Sequence, residues 1–387
     1  MPTRQGLVAL GAGIVAIVVG RVFAILELFV IGTAMIVAVA FGIAFVAMRA
    51  PRLTADRWAH PAMLSAGESG AVDIDLVHAG TLRSTRFLLE ESIRRPGDAI
   101  QVAPLGVEPL RPGARVRTGY ELPTSRRGRI ELGPLVAVVT DPLGVARTTR
   151  PVAGTSQVVV APRAYQLPMP VLGSGPLGQQ LLAQARRLGF GEFHSLREYV
   201  DGDEPRSIHW RASARSDDLL VKQHTLEGLK RAIVVLDPDP SSYADRASFE
   251  RAVTAAASLV TSAFHHELAT RFVTGRGIDL RGPDVAAGTL DVLSSIEPTT
   301  GALPVLDRDP GEGIGLAILV TGSPGSAGWS AVASIVDPTI TVVPVTTDVA
   351  PRSKLGAAAR TDDEFVRSWQ ALAGSHRTRT RPTQRSA

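Results

Sequence analysis

The sequence predicts a three-part protein: an N-terminal transmembrane helical hairpin, then an antiparallel β-sandwich, then an α/β domain of the Rossmann type. Three observations predict these parts. A predominantly apolar block fills residues 7–48. Short runs of alternating apolar and polar residues, separated by Gly and Pro, follow it to about residue 163, as in antiparallel sheets. Beyond residue 230, apolar strands alternate with helical patterns, which is typical of a mainly parallel sheet wrapped by helices.

The apolar block predicts a two-helix membrane anchor because it is about twice as long as the roughly 20 residues that cross a bilayer once. Arg21 and Glu27 bracket the predicted turn, which places the two helices at residues 6–25 and 28–48. A cleaved signal peptide followed by a single anchor is the alternative, although no polar cleavage region interrupts the apolar run.

Arginines flanking the block predict its orientation. Arg4 precedes the first helix, Arg49, Arg52 and Arg57 follow the second, and the turn carries one arginine offset by a glutamate. Cytoplasmic flanks of membrane helices are enriched in Lys and Arg. We therefore expect a multi-pass protein of the cell membrane with both termini in the cytoplasm.

Composition shifts divide the chain into five predicted segments. The alternating runs "AVDIDLVH", "ARVRTGYEL" and "GRIELGPLVAVVTD" are strands, and "DPLG" at 141–144 has the residues of a type I turn. A Pro/Gly-rich stretch after residue 164 indicates a boundary. The segments are a membrane anchor at 1–50, an Ig-like β-sandwich at 51–164, a connector at 165–229, an α/β domain at 230–374, and a disordered basic tail at 375–387.

Composition also excludes several functions. The chain has no cysteine, so disulfides, thiolate catalysis and Cys-type zinc sites are excluded. The formal net charge of +4 is too small for a strong nucleic-acid footprint, and we expect no nucleic-acid partner. No Gly-rich phosphate loop with Lys and Ser/Thr occurs, and there is no Gly-x-Ser-x-Gly elbow.

One oxygen-rich loop is a candidate metal site. The apolar run "RAIVVLD" ends at Asp237, and ligands of parallel sheets lie beyond such strand ends. Asp237, Asp239 and Ser241 stand at alternate positions of "DPDPS", where three oxygens could share Mg²⁺. This spacing resembles the metal-ion-dependent adhesion loop of von Willebrand factor A domains, although Asp239 replaces a serine. An Asp/Pro-rich loop that only caps its helix is the alternative.

A second motif is the charged stretch "EFHSLREYVDGDEPRSIHWRASAR", which begins at residue 192. It resembles the signature of the bacterial domain-of-unknown-function family 58, and "RRGRIELGPLVAVVTDPLGVART" and the paired membrane helices are similar to that family too. The resemblance implies a von Willebrand A-like C-terminal domain and a MoxR-type AAA+ ATPase as working partner. It implies no enzymatic reaction, since none is established for the family.

The signature residues suggest a structural or docking role rather than catalysis. Arginines beside the carboxylates of this stretch favour their ionisation, unlike the apolar pocket that general acids need. We expect ion pairs among Arg197, Asp203, Arg206 and Arg215, with Tyr199 and Trp210 supplying buried apolar surface. Two roles fit these residues: a surface that docks a partner protein, or an ion-pair network that only links the two domains. His194, His209 and His224 are too widely spaced for a compact zinc site.

Two functions follow as hypotheses. The first is a membrane-anchored cytoplasmic scaffold or adaptor, of unknown biochemical activity, that works with a MoxR-type AAA+ ATPase. The second is a Mg²⁺-dependent hydrolase that uses the loop of Asp237, Asp239 and Ser241.

Overall fold

A computed structural model describes most of the chain as two compact units, Met1–Ala161 and Pro162–Ala387. The described residues are 1–61, 63–188, 192–200, 208–215, 218–225, 228–300, 313–323, 332 and 339–374. The predicted disordered tail and most of the predicted helix "WSAVASIV" lie outside them.

Two apolar helices open the first unit, α1 (Arg4–Val22) and α2 (Leu26–Arg49). Both are long and apolar enough to cross a membrane, and the turn between them lies where Arg21 and Glu27 predicted it. Gly13 and Gly32 face each other where the helices cross. A Cβ added at Gly32 would lie 2.5 Å from the carbonyl oxygen of Gly13, so only glycine permits this approach.

The outer ends of both helices are held by the same unit's sheets. Thr3 caps α1, and its backbone N–H donates to the carbonyl of Val145 at 2.9 Å while its hydroxyl donates to that of Gly144 at 2.7 Å. A Cβ at Gly6 would overlap the Val145 carbonyl, so the turn before β8 lies directly on α1. On α2, Val46 is only 1% exposed and belongs to the core of the sheets.

Nine strands follow α2 and form two sheets. Their bounds are β1 (Leu53–His60), β2 (Leu64–Ser65), β3 (Gly70–His78), β4 (Phe87–Arg94), β5 (Gln101–Val107), β6 (Arg115–Leu122), β7 (Gly128–Thr140), β8 (Arg147–Ala153) and β9 (Ser156–Ala161). One sheet has the order β1-β3-β6, and the other has the order β2-β9-β7-β4-β5 with β8 beside β7. Only the short β2–β9 pair is parallel, so the second sheet is mixed. Alternating residues such as Ile74, Leu89 and Ile130 form one shared core.

A charged triad is buried beside this core. Arg57 forms an ion pair with Glu91 and donates to the carbonyls of Leu132 at 3.2 Å and Gly154 at 2.7 Å. The Tyr120 hydroxyl donates to the second carboxylate oxygen of Glu91 at 2.8 Å. Burial raises the pKa of Tyr120 to about 12, against the opposing effect of Arg57.

This triad includes Arg57, one of the arginines from which the orientation of the helices was predicted. The Arg57 side chain is only 8% exposed, since β1 directs it inward onto Glu91 rather than outward. The orientation itself stays a prediction from the flanking arginines.

The second unit contains the remaining elements. They are α3 (Gly175–Leu188), β10 (Glu192–Glu198), α4 (Trp210–Ser213), β11 (Leu220–Thr225), β12 (Arg231–Leu236), α5 (Arg246–His265), β13 (Ala269–Thr274), β14 (Ile278–Arg281), α6 (Val285–Ser295), β15 (Gly315–Thr321), β16 (Ile340–Thr346), β17 (Ala357–Ala358) and α7 (Asp362–Ala373). A six-stranded sheet has the order β14-β13-β12-β15-β16-β17. All its pairs are parallel except β13–β14, as the alternation of strands and helices predicted.

The connector after residue 164 packs on this unit's helices. The backbone N–H groups of Tyr165 and Leu167 donate to serine hydroxyls of α5, each at 2.9 Å. Trp369 of α7 is fully buried and its indole N–H donates to the Pro168 carbonyl at 2.8 Å. Thr361 caps α7 by accepting the N–H of Glu364, and the pair has the residue types of a capping box.

Candidate functional site

The signature stretch forms a small antiparallel hairpin of β10 and β11. Its register runs from Glu192 opposite Thr225 to Glu198 opposite Leu220, with a bulge between Phe193 and Ser195. The hairpin is a two-stranded sheet of its own and does not join the six-stranded sheet. Two strands supply too little apolar surface for a stable core, so the hairpin depends on what packs around it.

The short helix α4 closes one side of the hairpin. Its cap, His209, accepts the N–H of Ala212 on Nδ1 at 3.0 Å, and the Ser213 hydroxyl accepts the N–H of Leu220 at 2.8 Å. An isolated bridge joins Ile208 to Val221, and both side chains are buried. His209 thus serves as a helix cap through Nδ1.

The signature aromatics lie differently from expectation. Trp210 was expected to supply buried surface, but it is 64% exposed because it begins α4 on the solvent side. Leu219, beside the start of β11, is 44% exposed. Tyr199 is half-buried, and its N–H donates to the Leu219 carbonyl at 2.8 Å. Trp210 and Leu219 are therefore two solvent-exposed apolar side chains of the signature stretch, and together they are called the apolar patch.

The expected ion pairs stay a prediction. Asp203 and Arg206 lie outside the described residues, and so does the side chain of Arg197, whose backbone is part of β10. Arg215 is exposed, and its N–H donates to the Ala212 carbonyl at 3.0 Å in the turn after α4.

Asp237 lies at the C-terminal end of β12, as the strand pattern predicted. Its side chain is only 1% exposed. One carboxylate oxygen accepts the N–H of Asp239 at 3.1 Å, and the other accepts the Thr321 hydroxyl at 2.9 Å. In the described part of the chain, neither oxygen contacts a cationic side chain. A buried carboxylate without a cation is costly unless donors or a metal compensate it.

The rest of the loop is bonded to itself. Asp239 accepts both the N–H and the hydroxyl of Ser241 on one oxygen, at 2.9 and 2.8 Å, and so caps a 3-10 turn at Pro240–Ser242. The Tyr243 hydroxyl donates to the Asp237 carbonyl at 2.7 Å. Burial, followed by the charges of Asp237 and Asp348, raises the pKa of Tyr243 well above its usual value.

Two further residues, which the sequence analysis did not single out, lie near Asp237 at the ends of neighbouring strands. Together with Asp237 they form the strand-end cluster. Thr321 ends β15, and Asp348 follows β16. Asp348 accepts the N–H of Ala244 at 2.9 Å and lies 3.7 Å from the Arg251 guanidinium. The signal that could have found them is the polar residue directly after each apolar strand, "LVT" and "VTTD", because parallel strands end at one edge of the sheet.

These residues match a metal site only in part. Mg²⁺ prefers six oxygen ligands in octahedral geometry. Across the described residues, no group of three His, Cys, Asp or Glu side chains could hold a metal. Asp239 and Ser241 bond to each other, which leaves Asp237 and Thr321 as the oxygens that meet at the strand ends.

Comparison with solved structures gives no fold assignment. A structure of an ApaA protein from Bordetella pertussis is 14% identical, covering 28% of this chain and 94% of that one, with a TM-score of 0.22. A structure of the alkylpurine DNA glycosylase AlkC from Pseudomonas fluorescens is 18% identical, covering 31% of this chain and 34% of that one, with a TM-score of 0.23. A comparison with curated proteins finds no match.

A family model matches part of the chain. The family described as "Protein of unknown function DUF58" matches residues 195–271, which extend from the signature hairpin through the strand-end loop and α5 into β13. The residues that carry the resemblance from 195 onward lie inside this match. The match spans about a fifth of the chain and confirms the resemblance of this segment to the DUF58 family.

Proposed function

We propose that this protein is a membrane-anchored cytoplasmic scaffold or adaptor that docks a MoxR-type AAA+ ATPase through its DUF58 hairpin. The observation that carries the proposal is the apolar patch of Trp210 and Leu219. Exposed tryptophans next to arginines are typical of energetic centres in protein interfaces, and Arg211 and Arg215 lie on the same short segment. The choice of an AAA+ partner comes from the family resemblance.

The anchor supports a fixed position at the membrane. Two helices long enough to span a bilayer join the first unit through hydrogen bonds at Thr3 and through buried Val46. Arg4, Arg49 and Arg52 favour a cytoplasmic location for everything that follows α2. A reporter fused after Ala387 should be active only as a cytoplasmic reporter, and a periplasmic signal would remove both the orientation and a cytoplasmic partner.

The two units supply the proposed scaffold. Two sheets around one core favour an Ig-like β-sandwich for the first unit. Central parallel strands with α5 and α7 packed against them favour a von Willebrand A-like domain for the second. Both folds frequently serve as binding modules, and a fold alone assigns no chemistry.

The docking test uses the full-length protein in mild detergent, together with a candidate ATPase of the MoxR type. We expect the ATPase to copurify, and Trp210→Ala should weaken binding by about 30-fold, the effect of losing roughly 2 kcal/mol at an interface centre. Phe264→Ala, at another exposed aromatic of the same unit, is the matched control. Equal binding by both variants would exclude the patch, and Asp203→Arg or Arg206→Glu would then test the charged part of the signature.

A second candidate is a Mg²⁺-dependent hydrolase at the strand-end cluster. The buried Asp237 carboxylate, which contacts no cation among the described side chains, favours it. Titration calorimetry with Mg²⁺ and Mn²⁺ tests this candidate, with Asp237→Asn as the control variant. No heat of binding at millimolar metal would remove it.

A further inference from the structure

The turn between β7 and β8 lies beside the membrane helices rather than away from them. Val145 of this turn accepts the N–H of Thr3 and lies against Gly6 of α1. On the other helix, a Cβ at Gly42 would lie 2.9 Å from the Val145 side chain and 3.2 Å from the Asp141 carboxylate. The turn therefore meets both helices at the level of Gly6 and Gly42.

The helix length left beyond this level is too short for a bilayer. Val22 lies sixteen positions after Gly6 on α1, and Leu26 lies sixteen positions before Gly42 on α2. At 1.5 Å per residue each helix provides about 24 Å, whereas the hydrocarbon core is about 30 Å thick. Either the bilayer thins or apolar surface of the first unit enters it.

The turn has an exposed apolar tip and hydrogen-bonded backbone N–H groups, as contact with lipid requires. Leu143 at its tip is 62% exposed. Pro142 has no N–H, and Asp141 accepts the N–H groups of Leu143 at 2.9 Å, Gly144 at 3.0 Å and Ala146 at 2.5 Å. Backbone groups that are already hydrogen-bonded can enter a medium without water at little cost. The Asp141 side chain itself is shielded, at 5% exposure.

We propose that the tip of this turn, Pro142 and Leu143, is inserted into the bilayer as a third membrane contact beside the two helices. The proposal rests on the proposed membrane anchoring. Its partner is the acyl-chain region of the lipid, because the exposed tip is apolar and lies next to helices that themselves face lipid. The contact compensates the missing helix length and seats the first unit directly on the membrane surface.

Nitroxide labels on single cysteines test this in liposomes with the full-length protein. The chain has no native cysteine, so each label reports one position. Leu143→Cys and Pro142→Cys probe the tip, and Ile14→Cys in the middle of α1 is the reference in lipid. Ile100→Cys is the matched control because Ile100 is 61% exposed but lies by the end of β4 that is remote from the turn. Collision rates with O₂ and with a water-soluble nickel chelate are compared at each site.

We expect the two tip labels to prefer O₂, as at Ile14, and the Ile100 label to prefer the nickel chelate. A tip that prefers the chelate while Ile14 prefers O₂ would overturn the inserted turn and leave the anchor intact. An Ile14 label that prefers the chelate would overturn the anchor and the inserted turn with it. Tip labels shielded from both reagents would show a protein cover instead of lipid. An unchanged melting temperature checks that each labelled protein keeps its fold.

Discussion

Removing Glu91 should destabilise the first unit more than any exposed change, because it leaves the Arg57 guanidinium buried without its carboxylate. Glu91 is fully buried and the Arg57 side chain is 8% exposed. Breaking a buried ion pair by deleting one partner costs about 3–5 kcal/mol. Arg57 keeps two carbonyl acceptors, which places the loss near 3 kcal/mol. Tyr120 loses its acceptor as well, which adds about 1 kcal/mol.

Glu91→Leu is therefore expected to lower the free energy of unfolding by about 4 kcal/mol, a large share of the roughly 5–15 kcal/mol that stabilises a folded protein. Hydrogen exchange of β3 and β7 peptides, read by mass spectrometry on the full-length protein, measures this free energy of opening. Peptides of α5 in the second unit serve as the internal control.

A compensated variant separates the ion pair from simple packing. Arg57→Met, Glu91→Leu and Tyr120→Phe together remove every charged or hydroxyl group of the triad, and buried pairs replaced by apolar groups often lose no stability. We expect the triple variant to recover most of the loss. A single Glu91→Leu change that costs under about 1 kcal/mol, or a triple variant as unstable as the single one, would refute the reasoning.

Three further changes have definite expected outcomes. Gly32→Ala should loosen the helical hairpin by about 1–3 kcal/mol through overpacking, as measured by unfolding in mixed detergent, whereas Gly11→Ala meets no atom within 4 Å and should have little effect. Hydrogen bonds from Arg271, and to a smaller degree those from Arg281, hold the pKa of Asp279 well below its usual range. Its stabilising effect is therefore fully present above the unfolded pKa and is lost progressively as the pH falls toward the lowered folded pKa. Asp279→Asn should lower the melting temperature at pH 7, and this deficit should shrink gradually below about pH 4. Trp369→Phe should cost about 1 kcal/mol by removing the hydrogen bond to the connector, and protease cleavage of the connector should quicken; an unchanged cleavage rate would contradict that role.

Local patterns predicted the elements well. The apolar block predicted both helices, and "DPLG" predicted the turn at 141–144, because each of these elements depends on neighbouring residues alone. The order of the strands in the two sheets, the burial of Arg57 and the exposure of Trp210 depend on contacts between distant residues. Alternation places Arg57 on one face of β1, but Glu91 is 34 residues away, and no local pattern pairs them.

The candidate site was predictable to a similar degree. The strand-end rule located Asp237 from one apolar run, and the same rule applied to every strand would have added Thr321 and Asp348. The bonding of Ser241 to Asp239, however, depends on side-chain geometry inside the loop, which spacing does not determine.

The hydrogen bond from Thr3 to the turn before β8 also sets an order of events during synthesis. Its partners are 141 residues apart, and at roughly 5–20 residues per second the ribosome needs about 7–28 s to make the second after the first. Throughout that interval α1 has no turn to bind. In the proposed anchor, membrane insertion of the helices therefore proceeds on their own apolarity and flanking charges, and the sheets later fold around helix ends that are already in place.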